Sequence, residues 1–184
     1  WFELAERLGS MAAQFLSAPA TRLRLVFSGE GFEELDSIRG ACLKGYLQPA
    51  LGRKINTINA PVLAAERGLQ VETTTSGETG GYSMQIALEV EAAGSVHRFA
   101  ATLFQGHMGR VVHVDGYDME FPPQGSLLFF RNFDRPGVIG AVGTRLGLGG
   151  TNIAQFHLGR NAPGGVAMAV LNLDRSAPPE VLAD

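Results

Sequence analysis

Cysteine, charge and long apolar runs are all scarce in this sequence of 184 residues. The single cysteine, Cys42, excludes an internal disulfide framework and favours a reducing compartment, so we expect a cytoplasmic protein. Charged residues make up 18% of the chain and the net charge is −3, which leaves no basic excess for binding nucleic acid or an anionic membrane. No apolar stretch approaches the roughly 20 residues of a membrane span. The chain runs from Trp1 to Asp184 without an evident end signal, and we expect it to be part of something longer.

The motifs of common catalytic and metal sites are also missing. The nearest approach to G-x-G-x-x-G is the run 147–152, which follows a predicted helix and so stands in the wrong place for a pyrophosphate. His113 and Asp115 could share a strand face, but no third ligand accompanies them, and we expect no metal. Cys42 lies on the apolar stripe of a predicted helix, where a buried thiol is common. We therefore expect no catalytic site and no cofactor within this chain.

Hydrophobic periodicity predicts helices first and strands afterwards. Helical spacing of apolar residues recurs over residues 4–16, 32–51 and 60–68, with one strand at 22–27. Between residues 69 and 121 the pattern becomes strand-like. Asp115-Gly116 predicts a two-residue hairpin turn, because a type I′ turn needs positive φ at both central positions. This order describes an α+β domain with an antiparallel sheet.

The clearest boundary is Pro122-Pro123-Gln124-Gly125, because two prolines cannot donate ladder hydrogen bonds and the glycine allows a sharp exit. Beyond it the pattern restarts. We predict a strand at 126–132, a helix at 136–148 that Gly149-Gly150 ends, strands at 152–160 and 166–174, and a second helix from Pro178. This is a ferredoxin-like βαββ(αβ) order without its last strand, which makes the second domain incomplete at its C-terminus.

The loop between the strand at 126–132 and the following helix has the chemistry of an amino-acid site. With Pro136 at the first helical position, the free N–H groups of the helix start can receive a carboxylate. Asp134 can accept from an ammonium group, Asn132 can donate and accept, and Gly137 lets the backbone approach a ligand. The other interpretation is structural, with Asp134 capping the helix and Gly137 allowing close packing. The residues alone favour neither.

Two groups of motifs resemble a known family. The runs Asn132–Gly143 and Gly150–Ala154 resemble an ACT domain, most closely the one in the long-type bacterial D-3-phosphoglycerate dehydrogenases. That match continues through Leu158-Gly159-Arg160, Gly164-Gly165 and 170–174. The upstream segments Leu43-Lys44-Gly45, Val62–Gly68, Thr102-Leu103-Phe104 and Val114–Tyr117 resemble the intervening domain of the same enzymes.

The resemblance implies a regulatory region without catalytic machinery. Residues 1–17 would be a connector helix from the absent catalytic region, 18–124 an intervening domain of the allosteric substrate-binding kind, and 125–184 an incomplete ACT domain. The family oxidises 3-phosphoglycerate with NAD in the first committed step of L-serine synthesis, and its ACT domains bind serine as a feedback inhibitor at a dimer interface. We therefore expect NAD in the parent enzyme, a homo-oligomer through ACT domains, and L-serine or another small amino acid as partner.

Carried over by position, the resemblance assigns particular contacts. The effector contacts fall on Asn132, Asp134, Pro136, Gly137 and Val138, with Asn152 reaching across from the partner subunit. Arg110 falls on a basic position of an anion site, although an exposed charge on an edge strand is the alternative.

Two other functions remain open. Both faces of residues 166–173 are apolar, which fits an oligomerisation module without a ligand. The resemblance also extends to part of the iron–sulfur L-serine dehydratases, but a chain with only Cys42 could serve there only as a subunit of a two-chain enzyme.

Overall fold

A computed structural model describes residues 1–182, with the backbone alone for Arg53, and confirms an α+β chain. Its helices are α1 (Phe2–Phe15), α2 (Leu35–Leu51), a 3-10 helix (Gly52–Lys54), α3 (Ala60–Glu66), α4 (Val138–Leu148) and α5 (Pro179–Leu182). Its strands are β1 (Ala20–Ser28), β2 (Gln70–Ser76), β3 (Gln85–Ala92), β4 (Ser95–Phe104), β5 (Met108–Val114), β6 (Tyr117–Phe121), β7 (Ser126–Phe133), β8 (Ile153–Arg160) and β9 (Val166–Leu173). The last two residues of the predicted ACT domain lie outside this range. Within it, no helix has the length and apolarity to cross a membrane.

The larger sheet is mixed, whereas the sequence predicts an antiparallel one. Over residues 1–116 its strand order is β2-β1-β3-β4-β5, and β1 pairs with β2 in parallel while its other neighbour, β3, is antiparallel. The parallel pair arises because α2 and α3 return the chain to the same end of the sheet before β2 begins. Alternation of apolar residues reports which face is buried but carries no information on strand direction, so the sequence could not show this.

Glycines bring α1 and α2 into close contact. A Cβ added to Gly45 would overlap the carbonyl oxygen of Glu6, and one added to Gly9 would overlap that of Cys42. The Lys44 ammonium also lies 2.7 Å from the Glu6 carboxylate. Cys42 is 1% exposed, as predicted, and burial raises its pKa to about 12. A thiol held neutral in this way is a poor nucleophile near neutral pH.

The chain divides into two compact units, Trp1–Gly116 and Tyr117–Asp184. This division places β6 in the second unit, and the domain limits 18–124 and 125–184 stay a prediction. Phe121 stacks edge-on against Phe129 with ring centroids 6.0 Å apart. The buried Asn172 side chain donates to the carbonyls of Pro122 and Gln124, both at 3.0 Å, which fixes the proline segment to β9.

The second unit has the predicted element order. Its sheet is antiparallel with the order β7-β9-β8, and α4 covers one face. The predicted glycine stop of α4 is confirmed, since Thr151 N donates to Leu146 O and Gly150 N to Gly147 O, both at 2.9 Å. These two bonds form a Schellman motif, with Gly150 at φ +68°.

Candidate functional site

The β7–α4 loop and the end of β8 form the site region of the second unit. Asn132 of β7 and Arg160 of β8 both pair with Ala167 of the central strand β9. Residues directly opposite each other on paired strands share a face, so these three side chains form one row across the sheet. The middle side chain is only a methyl group. Nothing large therefore separates the side chains at the two ends of the row.

Asp134 forms an ion pair with Arg160. The Arg160 Nη1 atom lies 2.7 Å from Asp134 Oδ2, and the two side chains are 53% and 21% exposed. The Asp134 backbone N–H also donates to Gly165 O at 2.8 Å, which ties the loop to the residue before β9. Among the described residues the Asp134 carboxylate pairs with Arg160 and the N-cap of α4 is Gly137, so the interpretation of Asp134 as a helix cap is wrong. Its carboxylate is directed to β8 instead.

Asn132 keeps part of its hydrogen-bonding capacity unused. Its Nδ2 donates to the carbonyl of Phe133 at 2.8 Å. Its Oδ1 is buried and accepts no hydrogen bond from the residues the structure describes. Because an unpaired buried acceptor is destabilising, a donor that reaches this oxygen would form a stabilising hydrogen bond.

The start of α4 differs from the prediction at Pro136. The helix begins at Val138, and Gly137 is its N-cap residue with φ +92° and ψ −19°, so Pro136 precedes the helix and is not its first residue. The left-handed conformation of Gly137 turns the chain out of the loop before the helix can start. Pro136 and Gly137 are exposed and Val138 is half-buried. The first-turn N–H groups of α4 have no acceptor within the helix itself.

Asn152 lies at the other end of the sheet from Asn132. It precedes β8, whose first pair is Ile153 with Leu173, whereas Asn132 pairs near the start of β9. At about 3.3 Å per residue, the two asparagines are roughly 20 Å apart along the strands. The Asn152 side chain donates to Asp174 Oδ2 at 2.8 Å. One chain does not join the two predicted halves of the site, and the contribution of Asn152 from a partner subunit stays a prediction.

Arg110 is half-buried on β5, and its Nη1 donates to the carbonyl of Gly109 at 3.0 Å. Both interpretations of Arg110, the exposed charge on an edge strand and the anion site, stay predictions.

His113 and Asp115 each contact a further residue of the first unit. His97 Nδ1 lies 2.9 Å from Asp115 Oδ1, while His113 Nε2 accepts from Gly116 N at 3.2 Å. Over residues 1–182, no group of three or more histidine, cysteine, aspartate or glutamate side chains is placed to hold a metal ion.

Comparison with known proteins gives the family. The model of the D-3-phosphoglycerate dehydrogenase intervening domain matches residues 1–115, so the chain belongs to the family that this domain defines. Over nearly its whole length, this chain is similar to D-3-phosphoglycerate dehydrogenases. The enzyme of Methanocaldococcus jannaschii is 39% identical over 97% of this chain and 34% of its own length. Those of Archaeoglobus fulgidus and Bacillus subtilis are 33% and 30% identical, over 98% and 100% of this chain and 35% of their own lengths. The chain thus spans about a third of these relatives, and its predicted resemblance to D-3-phosphoglycerate dehydrogenases is confirmed, whereas the ACT domain stays a prediction.

Sequence reasoning missed Arg160 as the partner of Asp134. The two residues are 26 positions apart, and the arginine enters the sequence argument only as part of a motif. Pairing the predicted strands in register would have placed Arg160 in the row of Asn132, which is the one signal that was available.

Proposed function

We propose that this chain is the regulatory region of a D-3-phosphoglycerate dehydrogenase and binds L-serine, or another small amino acid, at the β7–α4 loop. The observation that carries the proposal is the Asp134–Arg160 pair, two opposite charges 2.7 Å apart beside an exposed loop. A free amino acid presents the same two charges on adjacent groups. The similarity to the relatives along the whole chain supports the parent enzyme.

In this proposal each polar residue of the loop has a stated role. The Asp134 carboxylate accepts a hydrogen bond from the ligand ammonium group. The Asn132 side-chain amide accepts a hydrogen bond from the hydroxyl group of serine, or donates one to it. Positive potential for the ligand carboxylate comes from the first-turn N–H groups of α4 and from Arg160. The exposure of Pro136 and Gly137 leaves this end of the unit open to a small ligand.

Regulation would require a second copy of the chain. Asn152 would complete the site from the partner subunit, and serine would stabilise one arrangement of a homo-oligomer. The oxidation of 3-phosphoglycerate with NAD, in the cytoplasm, would belong to the longer protein. This chain does not fit NAD, because its nearest glycine-rich run, 147–150, ends α4, whereas a pyrophosphate site needs such a run at a helix start.

Titration calorimetry with L-serine tests the proposal directly. We expect saturable heat at millimolar or lower serine, and its loss in Asp134→Ala. Asp36→Ala is the matched control, since it removes an exposed carboxylate at the start of α2. An absence of heat from the wild-type protein at millimolar serine would refute the ligand and leave the fold and family unaffected.

A ligand-free oligomerisation module is the second candidate. It is favoured by the apolar side chains exposed around the same loop, with Phe133 58%, Ile139 56% and Val166 43% exposed. Light scattering with and without serine separates the two, because a ligand-free module assembles identically in both. A subunit of an iron–sulfur L-serine dehydratase is disfavoured, since the single cysteine of the sequence, Cys42, is buried in the first unit.

A further inference from the structure

We propose that Arg160 binds the ligand carboxylate and that the Asp134–Arg160 pair makes the site selective for zwitterions. This inference rests on the proposed function and assigns it a specificity-determining residue. The ligand would exchange one internal ion pair for two, with its ammonium group on Asp134 and its carboxylate on Arg160.

The row across the sheet explains how Arg160 can pair with Asp134 in the free protein and with the ligand carboxylate in the complex. Its guanidinium contacts Asp134, and the position paired with Arg160 on β9 is Ala167, whose side chain is only a methyl group. Asp134 is held by its backbone bond to Gly165, so the carboxylate is the fixed member of the pair. Arg160 is the more exposed member, with a long side chain that can shift while its strand stays in place. Entry of a ligand therefore needs a change in rotamer and no change in the sheet.

The charges explain why such a site selects zwitterions. An ion pair this exposed is weak, so its replacement costs little when both members regain a partner. An amine without a carboxylate would occupy Asp134 and leave Arg160 unpaired. An acid without an ammonium group would occupy Arg160 and leave Asp134 unpaired. Each singly charged ligand thus loses an interaction that the free protein has, which is discrimination by an unpaired charge.

Arg160 is a better carboxylate partner than the start of α4. The guanidinium has a full charge and a fork of donors that matches a carboxylate, whereas a helix N-terminus supplies about half a charge. Arg160 is also the cation already in contact with the carboxylate that we assign to the ammonium group. Both charges of an amino acid, which are attached to the same carbon atom, therefore find partners at one place.

The test compares three ligands on the intact protein. L-serine carries both charges, L-serinamide only the ammonium group, and N-acetyl-L-serine only the carboxylate. We expect the wild type to prefer serine over either by about tenfold or more, the effect of one charged hydrogen bond. Arg160→Gln should weaken serine binding about tenfold and abolish its preference over serinamide. Asp134→Asn should abolish the preference over N-acetylserine.

Two further variants control for folding and charge. Arg131→Gln removes the same charge from β7 on the opposite face of the sheet, and we expect it to keep both preferences. Arg160→Lys keeps the charge without the fork, so it should bind serine less tightly than the wild type and still prefer it over serinamide. Should Arg160→Gln unfold, the lysine variant decides, and a serine affinity equal to that of the wild type would contradict the proposal.

The possible failures are distinguishable. If the wild type binds serine and Arg160→Gln keeps both the affinity and the preference over serinamide, Arg160 has no role in binding and the proposed function stands. If the wild type binds none of the three ligands, the proposed function and the selectivity fall together.

Discussion

Gly45 of α2 lies directly against the backbone carbonyl of Glu6 in α1, with no room between them for a β-carbon. We expect Gly45→Ala to destabilise the first unit by about 1–3 kcal/mol, because the two helices must separate to accept the methyl group. Urea unfolding measures the loss. Gly143→Ala in α4 is the control, because a β-carbon added at Gly143 would have no neighbour within 4 Å. There the alanine should stabilise the second unit by about 1 kcal/mol, through its higher helix propensity. Equal effects of the two substitutions would contradict the close helix contact.

Asn172 should hold the proline segment, residues 122–125, in a fixed conformation. Asn172→Ala removes both hydrogen bonds to the carbonyls of Pro122 and Gln124 and leaves those acceptors without their donor. We expect a loss of about 1–3 kcal/mol and faster proteolytic cleavage at residues 122–125. Thr144→Ala on the exposed side of α4 is the control, and its cleavage rate should equal that of the wild type. Unchanged cleavage in Asn172→Ala would show that other contacts order the segment.

Cys42 should be unreactive until the chain unfolds. Burial raises its pKa from 9.0 to about 12, so the folded protein keeps the thiol proton at pH 8. We expect a disulfide reagent to label Cys42 only in denaturant. Rapid stoichiometric labelling of the native protein would contradict its burial.

The same pKa shift predicts a loss of stability at high pH. Between pH 9 and 12 the unfolded chain releases the Cys42 proton while the folded chain retains it, so stability falls as pH rises. The slope from this group is about 1.4 kcal/mol per pH unit. The difference in unfolding free energy between wild type and Cys42→Ala should narrow from pH 9 to pH 11, and a constant difference would contradict the shift.

Asp115 should be replaceable by asparagine but not by alanine. Its φ of +47° is in the left-handed region, and its carboxylate lies 2.9 Å from His97 Nδ1. Asparagine tolerates this conformation and can still accept from the imidazole, whereas alanine does neither. We expect thermal unfolding to show a clear loss for Asp115→Ala and a smaller one for Asp115→Asn. Equal losses would show that the turn conformation is not what the residue supplies.

Local chemistry made several features predictable. Asp115-Gly116 forms the predicted turn with φ values of +47° and +89°, because hairpin type depends on the turn residues themselves. Gly149-Gly150 ends α4 where expected, for the same kind of reason. Cys42 is buried because its place on an apolar helix stripe already determines which way it faces.

Features that depend on distant parts of the chain were not predictable in this way. The parallel pairing of β1 with β2 depends on where two helices return the chain. Helix α4 begins at Val138, whereas the sequence predicts a start at Pro136. The difference arises because Gly137 adopts a left-handed conformation in the folded loop. The loop residues Asn132 and Asp134 were identified from their chemistry, but the arginine opposite them was not.

By itself, the sequence determined the α+β class, the order of elements in the second unit and the family, because these depend on periodicity, turn chemistry and motif. Only the tertiary structure decided that Asp134 pairs with Arg160 and does not cap α4, and that Asn152 lies at the far end of the sheet. The physical reason is register. Strand pairing brings residues into contact that the sequence separates by more than twenty positions, and no local pattern encodes which side chains then meet.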